Sequence, residues 1–196
     1  MPWYSPRPSP WLIRAVREGQ LPSRGSVLDI GCGTGTNAIW LAGHGYRVAG
    51  VDVAPTALAV ARARAQRAGV TVDLRVASAD RLPYPRGRFD FALDTGCFHS
   101  LPLRLRAAYA RQLARVVRPG GHLLLTWIPR EVQVDVGPPH RPSLEEVAGV
   151  FEPHFLFREV LGYDSGSPQG WKVFDRRLGR STALLERRRH RQPPPR

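Results

Sequence analysis

Lysine is almost absent from this chain of 196 residues. Lys172 is its one lysine, so arginine supplies 28 of the 29 basic residues, and the chain also contains 19 prolines. A net charge of +13 is often the signature of a nucleic-acid-binding protein. An excess carried almost wholly by arginine, together with abundant proline, is more typical of a codon-composition bias than of selection for a binding face. We therefore expect no nucleic-acid partner from the charge alone.

Apolar residues are scarce at the C-terminal end, where about half of the net charge lies. Residues 176–196 contain eight arginines against one acidic residue, Glu186, and end in ERRRHRQPPPR. A segment of this composition cannot bury enough apolar area to offset the entropy lost on ordering it. We expect residues 181–196 to form a disordered basic tail, and contact between this tail and RNA or an anionic surface stays open as an alternative.

Long hydrophobic runs and a cysteine framework are also missing. No stretch approaches the roughly 18 uninterrupted apolar residues that a membrane span needs, and the first residues, MPWYSPRPSPW, lack the apolar centre of a signal peptide. The two cysteines are Cys32 and Cys97, and the first lies inside a glycine-rich turn, which disfavours a structural disulfide. These absences predict a cytoplasmic protein without membrane contact, and the length suits one domain.

Strand and helix patterns alternate along the first two thirds of the chain. Short apolar, β-branched runs predict strands over residues 26–30, 47–53, 70–77, 89–94 and 122–127. Helical spacing predicts helices over residues 36–44, 55–68 and 103–117. This alternation predicts an α/β fold of the Rossmann-like, doubly wound type, with a mostly parallel sheet covered on both faces.

The pattern changes after the fifth predicted strand. Ser143-x-x-Glu146 has the spacing of a capping box and predicts the start of a helix. Residues 155–161 and 171–178 then predict two strands, joined by the turn-rich YDSGSPQG. The chain is therefore expected to end its sheet in a hairpin.

The stretch LDIGCGTGTNAIWLAGHGYRVAGVDV places three glycines directly after the first predicted strand. Gly31, Gly33 and Gly35 lack a Cβ, so the backbone can turn sharply there and approach a ligand closely. Ligands of open α/β sheets bind beyond the carboxyl ends of the strands, at such a first crossover. Asp52 ends the second predicted strand, where a carboxylate can accept hydrogen bonds from both hydroxyls of a ribose.

Two common ligands of glycine-rich turns are excluded by the spacing. A dinucleotide fingerprint would need a third glycine where this chain has Thr36, and a phosphate-binding loop would need a following Gly-Lys-Ser/Thr. Asp29, two residues before the first glycine, would repel a pyrophosphate but could pair with an ammonium group. A nucleoside with a cationic amino-acid end fits best, and S-adenosylmethionine is such a ligand.

At this point the sequence resembles the class I S-adenosylmethionine-dependent methyltransferases, over nearly the whole chain apart from its tail. VLDIGCGTG resembles the first family motif, GVDV the ribose-binding strand end, ASADRLP the adenine-binding stretch, FDFALDTG the fourth motif and RVVRPGGHLLLTW a later one. The usual sheet of this family has seven strands with the last antiparallel. The resemblance implies a cofactor-binding set made of Asp29, Gly31, Cys32, Gly33, Gly35, Asp52, Val53, Ala79, Asp80, Arg81, Asp94 and Thr95.

Two further stretches resemble a branch of small-molecule methyltransferases related to the thiopurine and tellurite-resistance enzymes. They are PWYSPRPSPW near the start and DTGCFHSLP after the fourth predicted strand. The resemblance implies that residues 1–24 fold over the cofactor as a lid, with Trp3 and Trp11 as apolar walls, ahead of a methyltransferase domain over residues 25–180. Packing of both tryptophans against the sheet edge is the alternative.

The DTGCFHSLP stretch supplies the candidates for acceptor contact, Phe98 and His99. His99 is the plausible general base of this loop, because an imidazole suits the deprotonation of a thiol or phenol. A histidine that hydrogen-bonds the loop or the cofactor without titrating is the alternative, and an acceptor that is already an anion needs no base. Cys97 is interpreted as a buried free cysteine, and the histidine spacing predicts no metal site.

These features predict an enzyme, an S-adenosylmethionine-dependent methyltransferase that works by in-line displacement. The expected acceptor is a small soft nucleophile (a thiol, a selenium or tellurium species, a halide) or a small natural product. We expect a monomer or homodimer that binds a small-molecule methyl acceptor, not nucleic acid or membrane. The alternatives are an RNA or protein methyltransferase that uses the basic tail, and a non-catalytic S-adenosylmethionine-binding protein.

Overall fold

The computed structural model describes residues 6–130, 140–161 and 181–189, without the side chains of residues 159–161 and 181. Seven strands form one sheet: β1 Ser26–Ile30, β2 Arg47–Asp52, β3 Val72–Val76, β4 Phe89–Asp94, β5 Val117–Trp127, β6 Phe155–Leu161 and β7 Ser181–Arg187. Within these described residues, five α-helices accompany them: α1 Pro10–Arg17, α2 Thr36–Gly43, α3 Pro55–Arg67, α4 Leu103–Val116 and α5 Leu144–Phe151. A short 3-10 helix covers Phe98–Ser100.

The strand order is β3-β2-β1-β4-β5-β7-β6, and β7 runs antiparallel to both of its neighbours. The first five strands are parallel to one another. The prediction of a Rossmann-like, mostly parallel seven-stranded sheet with an antiparallel last strand is therefore confirmed. The direction of winding reverses between β1 and β4, so the crevice in which such sheets bind ligands opens at their carboxyl ends.

Two apolar clusters cover the two faces of the sheet. Leu28 and Ile30 of β1 belong to a cluster closed by residues of α4 and α5. Val27, on the opposite face of β1, belongs to a second cluster that includes residues of α1 and α2. All five residues of β1 are buried, as expected for the centre of a parallel sheet covered on both faces. This central position fixes the place of the glycine turn that follows β1.

Local signals in the sequence set several boundaries correctly. The Ser143 hydroxyl accepts a hydrogen bond from the Glu146 amide, and the Glu146 carboxylate accepts one from the Ser143 amide at 2.8 Å, which confirms the capping box at the start of α5. Strand β5 begins earlier than predicted. Val117 pairs with Phe89 across a register shift, so the strand includes the Pro-Gly-Gly stretch.

The N-terminal segment contains helix α1, which packs against the body of the protein. Leu12 and Ala15 are buried in the second cluster, and Trp11 is also buried. A lid function for residues 1–24 stays a prediction, and Trp3 lies outside the described residues.

The predicted boundary of the tail is wrong. Residues 181–187 form β7, which pairs with β5 and β6 inside the sheet. Thr182, Ala183, Leu184 and Leu185 are buried, because the apolar run of Ala183, Leu184 and Leu185 outweighs the arginines that follow it. Arg187 is also fixed, since its guanidinium donates to the carbonyls of Ala114 and His154. The strand predicted over residues 171–178 lies outside the described residues.

The position of β7 predicts the effect of truncation. A chain that ends at Arg180 lacks the strand between β5 and β6, which leaves two open sheet edges and an uncovered core. We expect this chain to lose cooperative thermal unfolding, measured by circular dichroism. A chain that ends at Arg189 keeps β7 and serves as the control. Equal melting curves for the two chains would contradict the assignment of β7 to the sheet.

Candidate active site

The turn between β1 and α2 contains three glycines with positive φ angles, 64° at Gly31, 54° at Gly33 and 79° at Gly35. A Cβ atom at Gly31 would lie 2.9 Å from the Cβ of Cys97, so the loop after β4 packs directly against this turn. A Cβ at Gly33 would meet no atom within 4 Å. The turn therefore presents bare backbone to open space at Gly33, which a ligand can approach closely.

Asp52, the last residue of β2, holds the turn in place. One carboxylate oxygen accepts the Gly33 amide at 2.8 Å and the other accepts the Ala54 amide at 2.9 Å. The structure thus brings together the carboxylate and the glycine turn that the sequence predicted as one site. The next residue, Val53, is 67% exposed.

Asp29 is buried, and neither of its carboxylate oxygens has a partner of normal hydrogen-bond geometry, although the Ala38 amide is near enough to act on the carboxyl. Burial raises the pKa of this carboxyl to about 8, and the negative charge of Asp94 raises it further, although the Ala38 amide opposes the rise. An orphaned acceptor beside an open backbone turn is suited to a ligand with a cationic group. The residues present therefore fit a cofactor with an ammonium end.

Asp94 ends β4 and is fully buried, but its carboxylate is satisfied. Its oxygens accept hydrogen bonds from four donors: the amides of Gly96, Cys97 and Phe98, and the hydroxyl of Tyr109 at 2.5 Å. Burial raises the pKa of Asp94 to about 6, and these four bonds oppose the rise. Asp94 thereby fixes the loop over residues 95–98, and its predicted contact with the cofactor stays a prediction.

His99 is buried beside the end of β5, and its Nδ1 accepts the Ile128 amide at 2.9 Å. That bond occupies the Nδ1 lone pair, so the neutral ring carries its proton on Nε2 and presents a donor there. A general base needs a free lone pair directed at the acceptor. The geometry therefore favours the alternative, a histidine that hydrogen-bonds without titrating.

Asn37, in the first turn of α2, was missed by sequence reasoning. Its side-chain nitrogen donates to the Thr95 hydroxyl at 3.1 Å, and its side-chain oxygen accepts the Ser9 amide at 2.9 Å. One amide thus links the N-terminal segment to the end of β4. The only signal was its place two residues after the last glycine of the turn, and the pairing depends on residues far apart in sequence.

Trp11, two residues after Ser9, has a buried indole nitrogen without a partner.

The stretch predicted to hold adenine follows β3. Ala79 is buried, Asp80 accepts a hydrogen bond from the Ser78 hydroxyl, and Arg81 is exposed. The roles of these three residues stay predictions.

The two cysteines are unsuited to act as nucleophiles. Burial raises the pKa of both thiols far above its usual range, and nearby aspartates raise it further, Asp29 most at Cys32 and Asp94 most at Cys97. Both side chains are therefore neutral at physiological pH, and both are free thiols. No group of three or more histidine, cysteine, aspartate or glutamate side chains that could hold a metal occurs within residues 6–130, 140–161 and 181–189.

Comparison with known proteins identifies this arrangement. The family described as "Methyltransferase domain" matches residues 27–121. A 2-heptyl-1-hydroxyquinolin-4(1H)-one methyltransferase of Mycobacteroides abscessus is 30% identical over 88% of this chain and 80% of its own. A probable thiol methyltransferase of Arabidopsis thaliana is 28% identical over 78% of this chain and 67% of its own.

The chain belongs to the class I S-adenosylmethionine-dependent methyltransferases. Its cofactor is S-adenosylmethionine. A solved structure described under the conversion of a disulfide bond into a thioacetal group in echinomycin biosynthesis superimposes on this methyltransferase with a TM-score of 0.74 and 26% identity, over 93% of this chain and 83% of the other. Within the described part of the methyltransferase, no helix is long and apolar enough to cross a membrane.

The buried carboxyl of Asp29 predicts how stability depends on pH. Its pKa is about 8 in the folded protein against an ordinary value of 3.8, so the folded, ligand-free protein keeps a proton that the unfolded chain releases. The free energy of unfolding therefore falls as pH rises from about 4 to about 8. Asp29→Asn removes this titration, so its stability relative to wild type should increase across that window, measured by urea unfolding at several pH values.

Asp73→Asn, which changes an exposed carboxylate on β3, is the matched control and should leave the slope nearly unchanged. If wild type and Asp29→Asn lose stability in parallel between pH 5 and pH 8, the buried carboxyl is not the group that titrates. The same Asn variant should bind S-adenosylhomocysteine about tenfold or more weakly, since hydrogen bonds to charged groups contribute about 1.5–3 kcal/mol.

Proposed function

We propose that this methyltransferase acts on a small acceptor whose nucleophilic atom is soft or already ionised: a thiol, a selenium or tellurium species, a halide, or an acidic small natural product. The observation that carries the proposal is the bond between His99 and the Ile128 amide. It leaves the candidate loop without a side chain ready to remove a proton, because the Asp94 oxygens already accept four hydrogen bonds and the Cys97 thiol is neutral. An acceptor that ionises by itself needs no such group.

The names of two relatives support this acceptor class, one for an acidic small natural product and the other for a thiol. One relative is a methyltransferase for a small hydroxyquinolinone, and another is a probable thiol methyltransferase. Both are similar to this chain over more than three quarters of its length. Their named acceptors are small molecules, which favours a small acceptor here as well.

The cofactor would lie across the carboxyl ends of β1, β2 and β4. Asp29 would pair with the ammonium group, and Asp52 would accept the ribose hydroxyls while it holds the Gly33 amide. Val53 would offer an apolar surface beside the base, and Asp80 would accept from the adenine amine. When bound, S-adenosylmethionine supplies a methyl group on a positively charged sulfur.

The protein's own contribution to transfer would be positioning and the exclusion of water. In-line attack requires the acceptor lone pair to lie about 3 Å from the methyl carbon. The Asp94 bonds to the amides of residues 96–98 fix the loop that carries Phe98 and His99, so the wall of the cleft is rigid. His99 would hold this wall against the end of β5 through its bond to the Ile128 amide.

An RNA methyltransferase that uses its basic tail is the main competing proposal. It is weakened because β7 takes up residues 181–187 of the supposed tail, and Arg187 donates to backbone carbonyls instead of facing solvent freely. The other alternative is a non-catalytic cofactor-binding protein. Only a measurement of methyl transfer distinguishes it from our proposal.

A labelled-methyl assay tests the proposal directly. Wild-type protein with S-adenosylmethionine carrying a labelled methyl group is incubated with thiophenol, selenite, tellurite, iodide, a hydroxyquinolinone and total RNA. We expect label in at least one small acceptor and none in RNA. Asp52→Asn should weaken binding of S-adenosylhomocysteine about tenfold to a hundredfold, because it removes a charged acceptor from the ribose. Asp73→Asn should bind normally. Label in RNA alone would overturn the acceptor class.

His99→Ala tests whether a base is needed. For a thiol acceptor, we expect the rate to follow the ionisation of the thiol itself, with the same pH profile in wild type and variant and only a few-fold change in kcat. His44→Ala, on the exposed end of α2, is the control. A rate that becomes first order in hydroxide only in His99→Ala would instead establish the histidine as a general base.

A further inference from the structure

Arg106, on α4, is a buried cation that nothing described above uses. Its side chain is 4% exposed, and its guanidinium stacks over the Phe98 ring at 4.9 Å from the ring centroid. One terminal nitrogen donates to the His140 carbonyl, whereas Nε has no hydrogen-bond partner. Burial lowers the pKa of this guanidinium, so the surroundings disfavour the charge that the residue carries.

The charged groups near Arg106 do not neutralise it. Glu146 of α5 attracts the guanidinium, and Arg130 repels it. The Glu146 carboxylate, however, already accepts the Ser143 amide and pairs with Arg130. Within residues 6–130, 140–161 and 181–189, no carboxylate forms a hydrogen bond or ion pair with Arg106.

An arginine in this position lowers the free energy of unfolding. A buried charge without a counter-charge and a buried N–H without an acceptor both destabilise a protein, and an apolar side chain of similar size would pack on Phe98 at no such cost. The stacking on an aromatic ring offsets only part of the loss. A group that supplies both a negative charge and an acceptor oxygen would satisfy the guanidinium.

The position of Arg106 connects it to the acceptor loop. Phe98, on which it stacks, is adjacent to His99 and is held through its amide by Asp94. The preceding residue, Cys97, packs against the glycine turn at Gly31. Arg106 therefore contacts, through the Phe98 ring, the same loop that packs against the cofactor turn and carries His99.

We propose that Arg106 binds an anionic oxygen group of the methyl acceptor, so that the preferred acceptors are small acids that carry a carboxylate or an equivalent oxyanion besides the atom that is methylated. This inference rests on the proposed function and specifies its acceptor class. A planar guanidinium suits this task, since it offers paired donors to a carboxylate and keeps its charge when desolvated.

Binding of two matched probes tests this proposal without turnover. 4-Fluorobenzoate and its neutral isostere 4-fluorobenzamide are titrated by ¹⁹F NMR into protein saturated with S-adenosylhomocysteine. Wild type should bind the carboxylate about tenfold or more tightly than the amide, and Arg106→Met should reduce that preference to within about twofold. Arg104→Met, an exposed position on the same helix, should keep the wild-type preference.

Several outcomes would overturn the proposal: equal wild-type affinity for the two probes, or an undiminished preference in Arg106→Met. If Arg106→Met does not melt cooperatively, Arg106→Lys decides instead. A several-fold weaker affinity for 4-fluorobenzoate in Arg106→Lys supports the proposal, and an unchanged affinity contradicts it. Failure of the proposed function would show separately, as absent S-adenosylhomocysteine binding or absent methyl transfer in wild type.

Discussion

The buried carboxylate of Asp94 organises the whole crevice of this protein. It ends a central strand on the face covered by α4, where it accepts three consecutive loop amides and the Tyr109 hydroxyl. Hydrogen bonds to an ionised acceptor are stronger than neutral ones, so amides bound to a common carboxylate do not move independently. The positions of Phe98 and His99, and the stacking of Arg106, all follow from this one anchor.

A second buried carboxyl group, that of Asp29, lies on the neighbouring strand and differs from Asp94 in its hydrogen bonding. Asp94 is satisfied by the protein, whereas the oxygens of Asp29 have no partner and its pKa is the more strongly raised of the two. Two anions so close together in a buried site disfavour each other's ionisation. A cationic ligand beside Asp29 would therefore favour the ionised form of this carboxyl.

Much of the fold could be predicted because its signals are local. The alternation of apolar runs and helical spacing predicted the first five strands, and Ser143 with Glu146 predicted the start of α5. The glycine turn and Asp52 predicted a cofactor site, whose individual contacts stay a prediction. Contacts between distant residues had no such signal. Asn37 reaches Thr95, and His99 meets the Ile128 amide, across 58 and 29 positions of sequence, and no spacing rule relates those pairs.

The end of the chain shows the same contrast between local sequence signals and contacts made in the folded protein. Composition averaged over residues 181–196 describes a basic, proline-rich tail, and yet residues 181–187 complete the sheet, because their backbone pairs with β5 and β6 and their few apolar side chains are buried on its two faces. The sequence by itself determined the fold class, the family and the cofactor, since each rests on residues close together in the chain. Only the tertiary structure decided that Nδ1 of His99 accepts the Ile128 amide and that the buried Arg106 pairs with no carboxylate of the described residues, because hydrogen bonding and ion pairing depend on which distant groups surround a side chain.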